Sequence, residues 1–135
     1  MSNRKSGDDF EVEFASALAA KGFWVHRLKQ NSAGQPFDII AVKDGYATAI
    51  DCKVCEKDVF DLSRIEENQI NAMELWESCG NGNGWFALKL SDGRIKMISF
   101  SHMDCFGHLF GKRMSREAIV INGIDLPFWI RCEYR

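Results

Sequence analysis

The sequence predicts a single mixed α/β domain whose elements follow the order α-β-β-β-α-β. Three observations predict it: an amphipathic segment near the N-terminus, tight-turn signals at Asp44-Gly45 and Asp92-Gly93, and a second amphipathic segment between those turns. The chain has 135 residues, of which 46% are hydrophobic, enough for one core. No repeat or low-complexity linker interrupts it, so we expect one domain over residues 1–135.

The first helix is predicted over about residues 8–21, where apolar side chains recur at helical spacing and Gly22 ends the pattern. Residues 1–7 precede it and contain Arg4 and Lys5. We expect these seven residues to form a flexible basic arm.

A short strand over 23–28 is predicted next, followed by a hairpin of strands 37–42 and 46–54. The turn at Asp44-Gly45 folds the first hairpin strand back on the second. Asp38 and Asp51 are equally far from the centre of this turn, so we expect them to lie opposite each other.

The second half of the chain is predicted to contain a helix, another hairpin and three short elements. A capping box of Ser63 and Glu66 begins the helix, which ends at Gly80. The remaining elements are a hairpin over 85–90 and 95–100, a short helix over 101–110, and short strands over 118–121 and 128–131.

The charge balance excludes one way of binding nucleic acid or an anionic membrane. The formal net charge is −2 and the sequence pI about 5.9, so bulk positive charge does not hold the protein to such a partner. Residues 85–135 nevertheless carry eight basic and five acidic side chains. A phosphate-facing surface is therefore expected to use this third of the chain together with scattered N-terminal cations.

The expected cellular location rests on the absence of membrane and secretion signals and on the cysteine pattern. It has no apolar run of the roughly 20 residues that a membrane span needs, and no secretory signal at its start. The five cysteines are odd in number and scattered, which favours free thiols in a reducing compartment. We expect a cytoplasmic protein with no membrane partner.

Asp38, Asp51 and Lys53 form the most informative group. Side chains alternate along a strand, so Asp51 and Lys53 project from one face and Cys52 from the other. Paired carboxylates suit Mg²⁺ or Mn²⁺ bound together with a substrate phosphate, and a nearby lysine can orient water or stabilise negative charge. The alternative is structural: two carboxylates at a sheet edge and a simple salt bridge.

Six short segments lie in an order that is characteristic of one nuclease superfamily. They are Gly7–Glu11, Lys21–Val25, Pro36–Asp38, Asp51–Lys53, Ser63–Gln69 and Gly84–Leu88. With them, the chain resembles the PD-(D/E)XK nucleases, and within these the Holliday-junction resolvases of archaeal and RecU type. Phe37 separates Pro36 from Asp38, which departs from a strict Pro-Asp pair. Only three residues join the two motif strands, so the compact archaeal or phage type is closer than the RecU type.

The resemblance implies a restriction-endonuclease-like fold, a mixed central β-sheet flanked by helices. It also implies a metal-dependent endonuclease that hydrolyses DNA phosphodiesters at four-way junctions, using Mg²⁺ with Mn²⁺ as a substitute. Its metal ligands would be Glu11, Asp38, Asp51 and the backbone carbonyl of Cys52; Lys53 would position or activate water, and Gln69 would contact water, lysine or phosphate. Glu13 is the rival of Glu11, because both cannot point the same way on one helix.

Branched DNA is the expected partner, and a homodimer is expected because four-way junctions are nearly two-fold symmetric. A cellular and a phage origin both fit so short a chain. Candidate DNA-binding residues are Arg4, Lys5, Arg27, Lys29, Arg64, Lys112, Arg113 and Arg116. Two alternatives remain: a restriction-like or repair nuclease acting on flaps, ends or specific duplex sites, and a non-catalytic DNA-binding module on the same fold.

Overall fold

A computed structural model describes residues 3–28 and 36–131 of the chain. The helices are α1 (Asn3–Ala20), α2 (Glu67–Ser78), α3 (Phe100–Phe110), α4 (Arg116–Asn122) and α5 (Leu126–Arg131). The strands are β1 (Trp24–Arg27), β2 (Ile39–Lys43), β3 (Tyr46–Val54), β4 (Phe60–Asp61), β5 (Trp85–Lys89), β6 (Ile95–Ser99), β7 (Arg113–Met114) and β8 (Ile124–Asp125). Among these described residues, no helix has both the length and the apolar character needed to cross a membrane.

Six strands form one sheet in the order β1-β2-β3-β5-β6-β8. Strands β3 and β5 are parallel and the other neighbours antiparallel, so the sheet is mixed, as predicted. Helix α2 lies in the connection between the two parallel strands, which is the usual way to join such a pair. A small second sheet pairs β4 with β7.

The β2–β3 hairpin has the predicted register. Ile39 pairs with Ile50, which places Asp38, just before β2, across from Asp51. The two-residue turn has positive φ at both Asp44 (53°) and Gly45 (83°), the backbone that hairpin turns of this length favour. The hairpin therefore brings the two aspartates to the same end of the sheet.

The sheet separates two hydrophobic layers. In β3, Ala49 faces one layer, while Ile50 and Cys52 face the other, as the two-residue period of a strand requires. Helices α1 and α5 contribute to the Ile50 layer, and α2, α3 and α4 contribute to the Ala49 layer. Both faces are thus covered by helices, as the predicted fold requires.

Two predicted helix starts are wrong. Helix α1 begins at Asn3, so residues 3–7 are helical and do not form an arm ahead of the helix. A glycine costs a helix only about 1 kcal/mol, so Gly7 does not stop it. Helix α2 begins at Glu67, after a 3₁₀ turn over Leu62–Arg64, and the amide of its preceding residue, Glu66, bonds to Gln69.

The two strands predicted near the C-terminus are also wrong, because residues 118–121 and 128–131 belong to helices α4 and α5. The Ser115 hydroxyl caps α4 by accepting from the amide of Ala118. Ile119 is fully buried, whereas Ile121 is 81% exposed. Capping and one-sided packing therefore override the strand preference of this Ile/Val-rich run.

Candidate active site

Asp51 is the most deeply buried carboxylate of the predicted group, with 1% of its surface exposed. Its Oδ1 accepts a hydrogen bond from Gln69 Nε2 at 3.0 Å. Its Oδ2 lies 3.2 Å from Lys53 Nζ but has no hydrogen bond among the described residues. Lys53 offsets part of the cost of burying this oxygen, and a further cation or donor would offset more of it.

Asp38 is held beside it by the backbone. The amide of Cys52 donates to Asp38 Oδ2 at 2.7 Å, and the Asp38 amide donates to the carbonyl of Ile50. The Cys52 side chain packs in the α1 layer, on the opposite face from Asp51 and Lys53, as predicted. The carboxylate of Asp38 is therefore fixed at the end of the hairpin ladder.

Glu11 reaches this region from α1. It follows the buried Phe10 and is itself only 6% exposed. Its Oε1 lies 3.6 Å from Arg27 Nη2. The rival Glu13 is exposed and pairs with Lys89 at 2.6 Å, so the helix directs Glu11 and not Glu13 to the site.

Glu11 and Asp51 both have a raised pKa, and the nearby Asp38 carboxylate contributes to each shift. Burial raises the pKa of Glu11 to about 7, and Asp38 adds to the shift while Arg27 opposes it. Burial also raises the pKa of Asp51 well above its ordinary range, with Asp38 adding and Lys53 opposing. Two protein cations do not compensate this group of acids fully, which is the electrostatic pattern of a site that takes a further cation.

Lys53 and Gln69 connect the site to the segment that leads into α2. Lys53 Nζ donates to the Arg64 carbonyl at 3.2 Å and to Gln69 Oε1 at 3.4 Å. The same Gln69 oxygen accepts from the Glu66 amide at 3.0 Å. The structure thus joins Asp51, Lys53 and Gln69 by direct contacts, with Asp38 beside Asp51 and Glu11 close enough to Asp38 to feel its charge. In the described residues, no three His, Cys, Asp or Glu side chains already form a metal-ligand group.

This geometry can be compared with known proteins. The model of the archaeal Holliday junction resolvase (Hjc) family matches residues 1–127. The chain belongs to the Hjc family. The predicted resemblance to archaeal resolvases of the PD-(D/E)XK type is therefore confirmed.

A solved structure of the same fold is Hjc, a Holliday junction resolvase from the archaeal hyperthermophile Archaeoglobus fulgidus. The two chains share 17% sequence identity with a TM-score of 0.70, over 94% of this chain and 99% of that one. The predicted mixed sheet flanked by helices is confirmed by this match. The sequence has no significant match among curated proteins.

Within this Hjc-type fold, the predicted DNA-binding residues take different positions. Arg27 lies against Glu11, while Arg64 and Arg113 line a cleft beside Lys53. Lys5 is exposed on α1, and Lys112 lines a groove between α3 and the 3₁₀ turn. The Arg4 side chain and all of Lys29 lie outside the described residues.

Arg116 has a structural environment that the sequence did not indicate. It contacts Asp58 Oδ2 at 2.6 Å and Asp92 Oδ2 at 3.0 Å. A guanidinium bound to two carboxylates is a weak candidate for a phosphate contact, so the structure does not support this residue as a DNA ligand in the resolvase.

The contact of Arg27 with Glu11 is the feature of the site that sequence reasoning missed. Arg27 was considered only as a DNA-binding residue. It pairs with Ile39 across the sheet, one residue from Asp38. That register depends on the pairing of β1 with β2, which no turn motif in the sequence indicates.

Proposed function

We propose that the chain cuts four-way DNA junctions with a divalent cation held by Glu11, Asp38 and Asp51. One observation carries this proposal: in a chain of the Hjc family, buried Asp38 and Asp51 meet beside Lys53, and the buried Glu11 lies within reach of the Asp38 charge. Carboxylate oxygens are the ligands that hard divalent cations prefer. The Asp51 oxygen that lacks a donor in the described residues fits such an ion.

Each residue has a stated task in this proposal. A bound divalent cation would stabilise negative charge on the phosphate during hydrolysis. Lys53 is held by Gln69 and the Arg64 carbonyl, and it presents its ammonium to a phosphate oxygen or to water. Gln69 fixes both Asp51 and Lys53, so we assign it a positioning role.

The cation is proposed to be Mg²⁺, with Mn²⁺ as a substitute, and the Cys52 carbonyl to be a further oxygen ligand. The amide of Cys52 points to Asp38. The N–H and C=O of one strand residue point to the same side, so this carbonyl faces the Asp38 side of β3 as well. That direction supports Cys52 as a backbone ligand.

We also propose a homodimer, because a nearly two-fold symmetric junction presents two equivalent strands for cutting. A cytoplasmic location and one domain over residues 1–135 stay predictions. Among the described residues, Cys52, Cys55, Cys79 and Cys105 are free thiols.

The decisive experiment compares the parent protein with Asp51→Asn on a synthetic four-way junction with Mg²⁺. We expect the parent to nick the junction and Asp51→Asn to lose at least about 100-fold in rate, because a ligand charge is removed. Circular dichroism checks that the variant is folded. Glu13→Gln is the matched control, since Glu13 is exposed and outside the site, and it should cut like the parent.

The substrates and the metal separate the alternatives. Competition between junction, flap and linear duplex distinguishes a resolvase from a restriction-like or repair nuclease. Isothermal titration with Mn²⁺ distinguishes an enzyme from a non-catalytic DNA-binding module. Equal cutting by Asp51→Asn and the parent would overturn the site assignment.

A further inference from the structure

A cleft of about 710 Å³ begins at Lys53 and lies between the first turns of α1 and the segment from Lys53 to Arg64. None of the three site carboxylates lines it, so the cleft meets the candidate active site at Cys52 and Lys53. Its charged lining consists of four cations and two acids: Lys53, Lys57, Arg64, Arg113, Glu56 and Asp61. The lining is therefore net positive in a chain whose net charge is negative.

The charged groups of the cleft differ in how far the protein already uses them. Asp61 Oδ1 accepts from the Ser63 amide, and Arg64 donates to the Val54 carbonyl and lies over the Phe60 ring. The side chains of Lys57 and Arg113, by contrast, form no hydrogen bond or salt bridge with any described residue, although the Arg113 charge helps to lower the pKa of Asp61, its partner across the β4–β7 pair. Their charges are available to a ligand.

The wall that carries Lys57 is fixed by its neighbour. Asp58 has a positive φ of 58°, a conformation that Asp tolerates better than most residues. Its carboxylate accepts from the Ser91 amide and hydroxyl and from Arg116 Nη1. A loop held by three hydrogen bonds presents Lys57 with little ordering cost on binding.

We propose that this cleft holds the DNA strand next to the scissile phosphate, with Lys57 and Arg113 contacting backbone phosphates beyond the cut. This inference rests on the proposed function, which puts the scissile phosphate at Lys53. A strand entering there carries one charge per nucleotide and must continue along the adjoining surface. Val54 and Val59 supply apolar lining for the sugars between the phosphates.

The test measures binding of a four-way junction at several salt concentrations, in an Asp51→Asn background so that the DNA stays intact. Each lost phosphate contact should reduce the slope of log affinity against log salt by about 1. We therefore expect a reduction of about 1 for Lys57→Gln, about 1 for Arg113→Gln and about 2 for the double variant. The matched control is Lys21→Gln with Arg131→Gln, which changes the same charges at exposed positions outside the cleft.

An unchanged slope for the double variant, or an equal loss in the control, would overturn the proposal. Nicking by the parent protein with Mg²⁺ is measured separately. If the parent cuts junctions but the cleft variants have the same salt slope as the Asp51→Asn background, only the cleft assignment fails. If the parent does not cut, the proposed function fails, and a reduced slope would show DNA binding in the cleft without hydrolysis.

A second arm locates the contacted phosphates. Two junctions are prepared. One carries uncharged methylphosphonates in place of the phosphates on one side of the mapped cut, and the second carries them on the other side. On one of these two junctions the double variant should bind as tightly as its parent, because the contact has already been removed from the DNA. If the variant weakens binding to both substituted junctions equally, the contacts lie elsewhere and the proposal is wrong.

Discussion

Gln69 shows at the scale of a single residue how the fold and the site depend on each other. Its amide nitrogen donates to Asp51, and its oxygen accepts from Lys53 and from the Glu66 amide at the start of α2. The side chain is 8% exposed. One buried amide therefore orients a carboxylate, a lysine and a helix start.

We predict that Gln69→Leu, which keeps a similar volume, lowers both stability and cleavage. Asp51 Oδ1 and the Glu66 amide lose their partners, which should cost about 1–3 kcal/mol in the free energy of unfolding. Loss of a group that orients a ligand typically costs about 10- to 100-fold in metal affinity or activity. Urea unfolding and the Mg²⁺ concentration for half-maximal nicking measure the two effects.

Gln69→Glu is the informative companion, since it keeps the acceptor for Lys53 and Glu66 but removes the donor to Asp51. Gln69→Glu should therefore need more Mg²⁺ than the parent for half-maximal nicking. Its α2 start, and with it most of the stability, should be retained. If both variants reach half-maximal nicking at the same Mg²⁺ concentration as the parent, the positioning role is contradicted.

Residue chemistry explains which parts of the site were predictable. Asp38, Asp51 and Lys53 lie on one hairpin, so strand alternation and a two-residue turn determine their proximity. Glu11 and Gln69 entered only through the family resemblance, because helical periodicity does not say where a helix packs on a sheet. The ion pair of Arg27 with Glu11 was missed for the same reason.

At the scale of elements, Arg116 joins three parts of the chain that are distant in sequence. It lies at the start of α4 and contacts Asp58 after β3 and Asp92 in the turn between β5 and β6. Asp92 also accepts from the backbone and side chain of Arg94. These contacts fix the loop that forms the Lys57 wall of the cleft.

We predict that this cluster makes stability depend on pH in the acid range. The backbone hydrogen bond from Arg94 and the bond from Arg116 lower the pKa of Asp92 to about 2, from an ordinary value of 3.8. A lowered pKa means that the folded state favours the carboxylate, so this stabilisation is present above about pH 4 and is lost as pH falls towards 2. The parent should thus exceed Asp92→Asn in thermal stability at pH 5, with the difference shrinking towards pH 2.

Glu74→Gln supplies the control, because Glu74 is exposed on α2 and its side chain forms no hydrogen bond or salt bridge with a described residue. Its difference from the parent should stay small at every pH. A constant difference between the parent and Asp92→Asn from pH 5 to pH 2 would contradict the assignment.

Element identity was predicted best where local signals are strong. The β2–β3 and β5–β6 hairpins agree with the sequence because their turn residues and strand preferences point the same way. Helices α4 and α5 disagree because packing of Ile119 and Trp129 into opposite layers decides their conformation. The start of α1 disagrees because the helix continues through Gly7 back to Asn3.

For the whole molecule, net charge is a poor guide to the partner. The acidic segment 54–84 carries seven acids and two bases, yet it supplies Lys57 and Arg64 to the positive cleft. Several C-terminal cations are paired instead, including Arg94 and Lys96 with aspartates. The fold redistributes charge that the sequence shows only as local totals.

We predict a homodimer at this scale. A family that acts on four-way junctions meets a nearly two-fold substrate, and a C₂ dimer presents two sites in matching orientation. Light scattering should give twice the 15.4 kDa chain mass for the free protein, and that mass plus the mass of one junction for the complex. A monomer in both states would contradict the prediction.

By itself, the sequence determined the α/β class, both hairpins and the meeting of Asp38 with Asp51, because turns and alternating side chains act over short distances. The motifs added the nuclease family. Only the tertiary structure decided what Gln69 holds, how Arg116 is used and where a cleft opens beside Lys53. These depend on the packing of helices and loops against the sheet, and that packing is set by contacts between residues far apart in the chain.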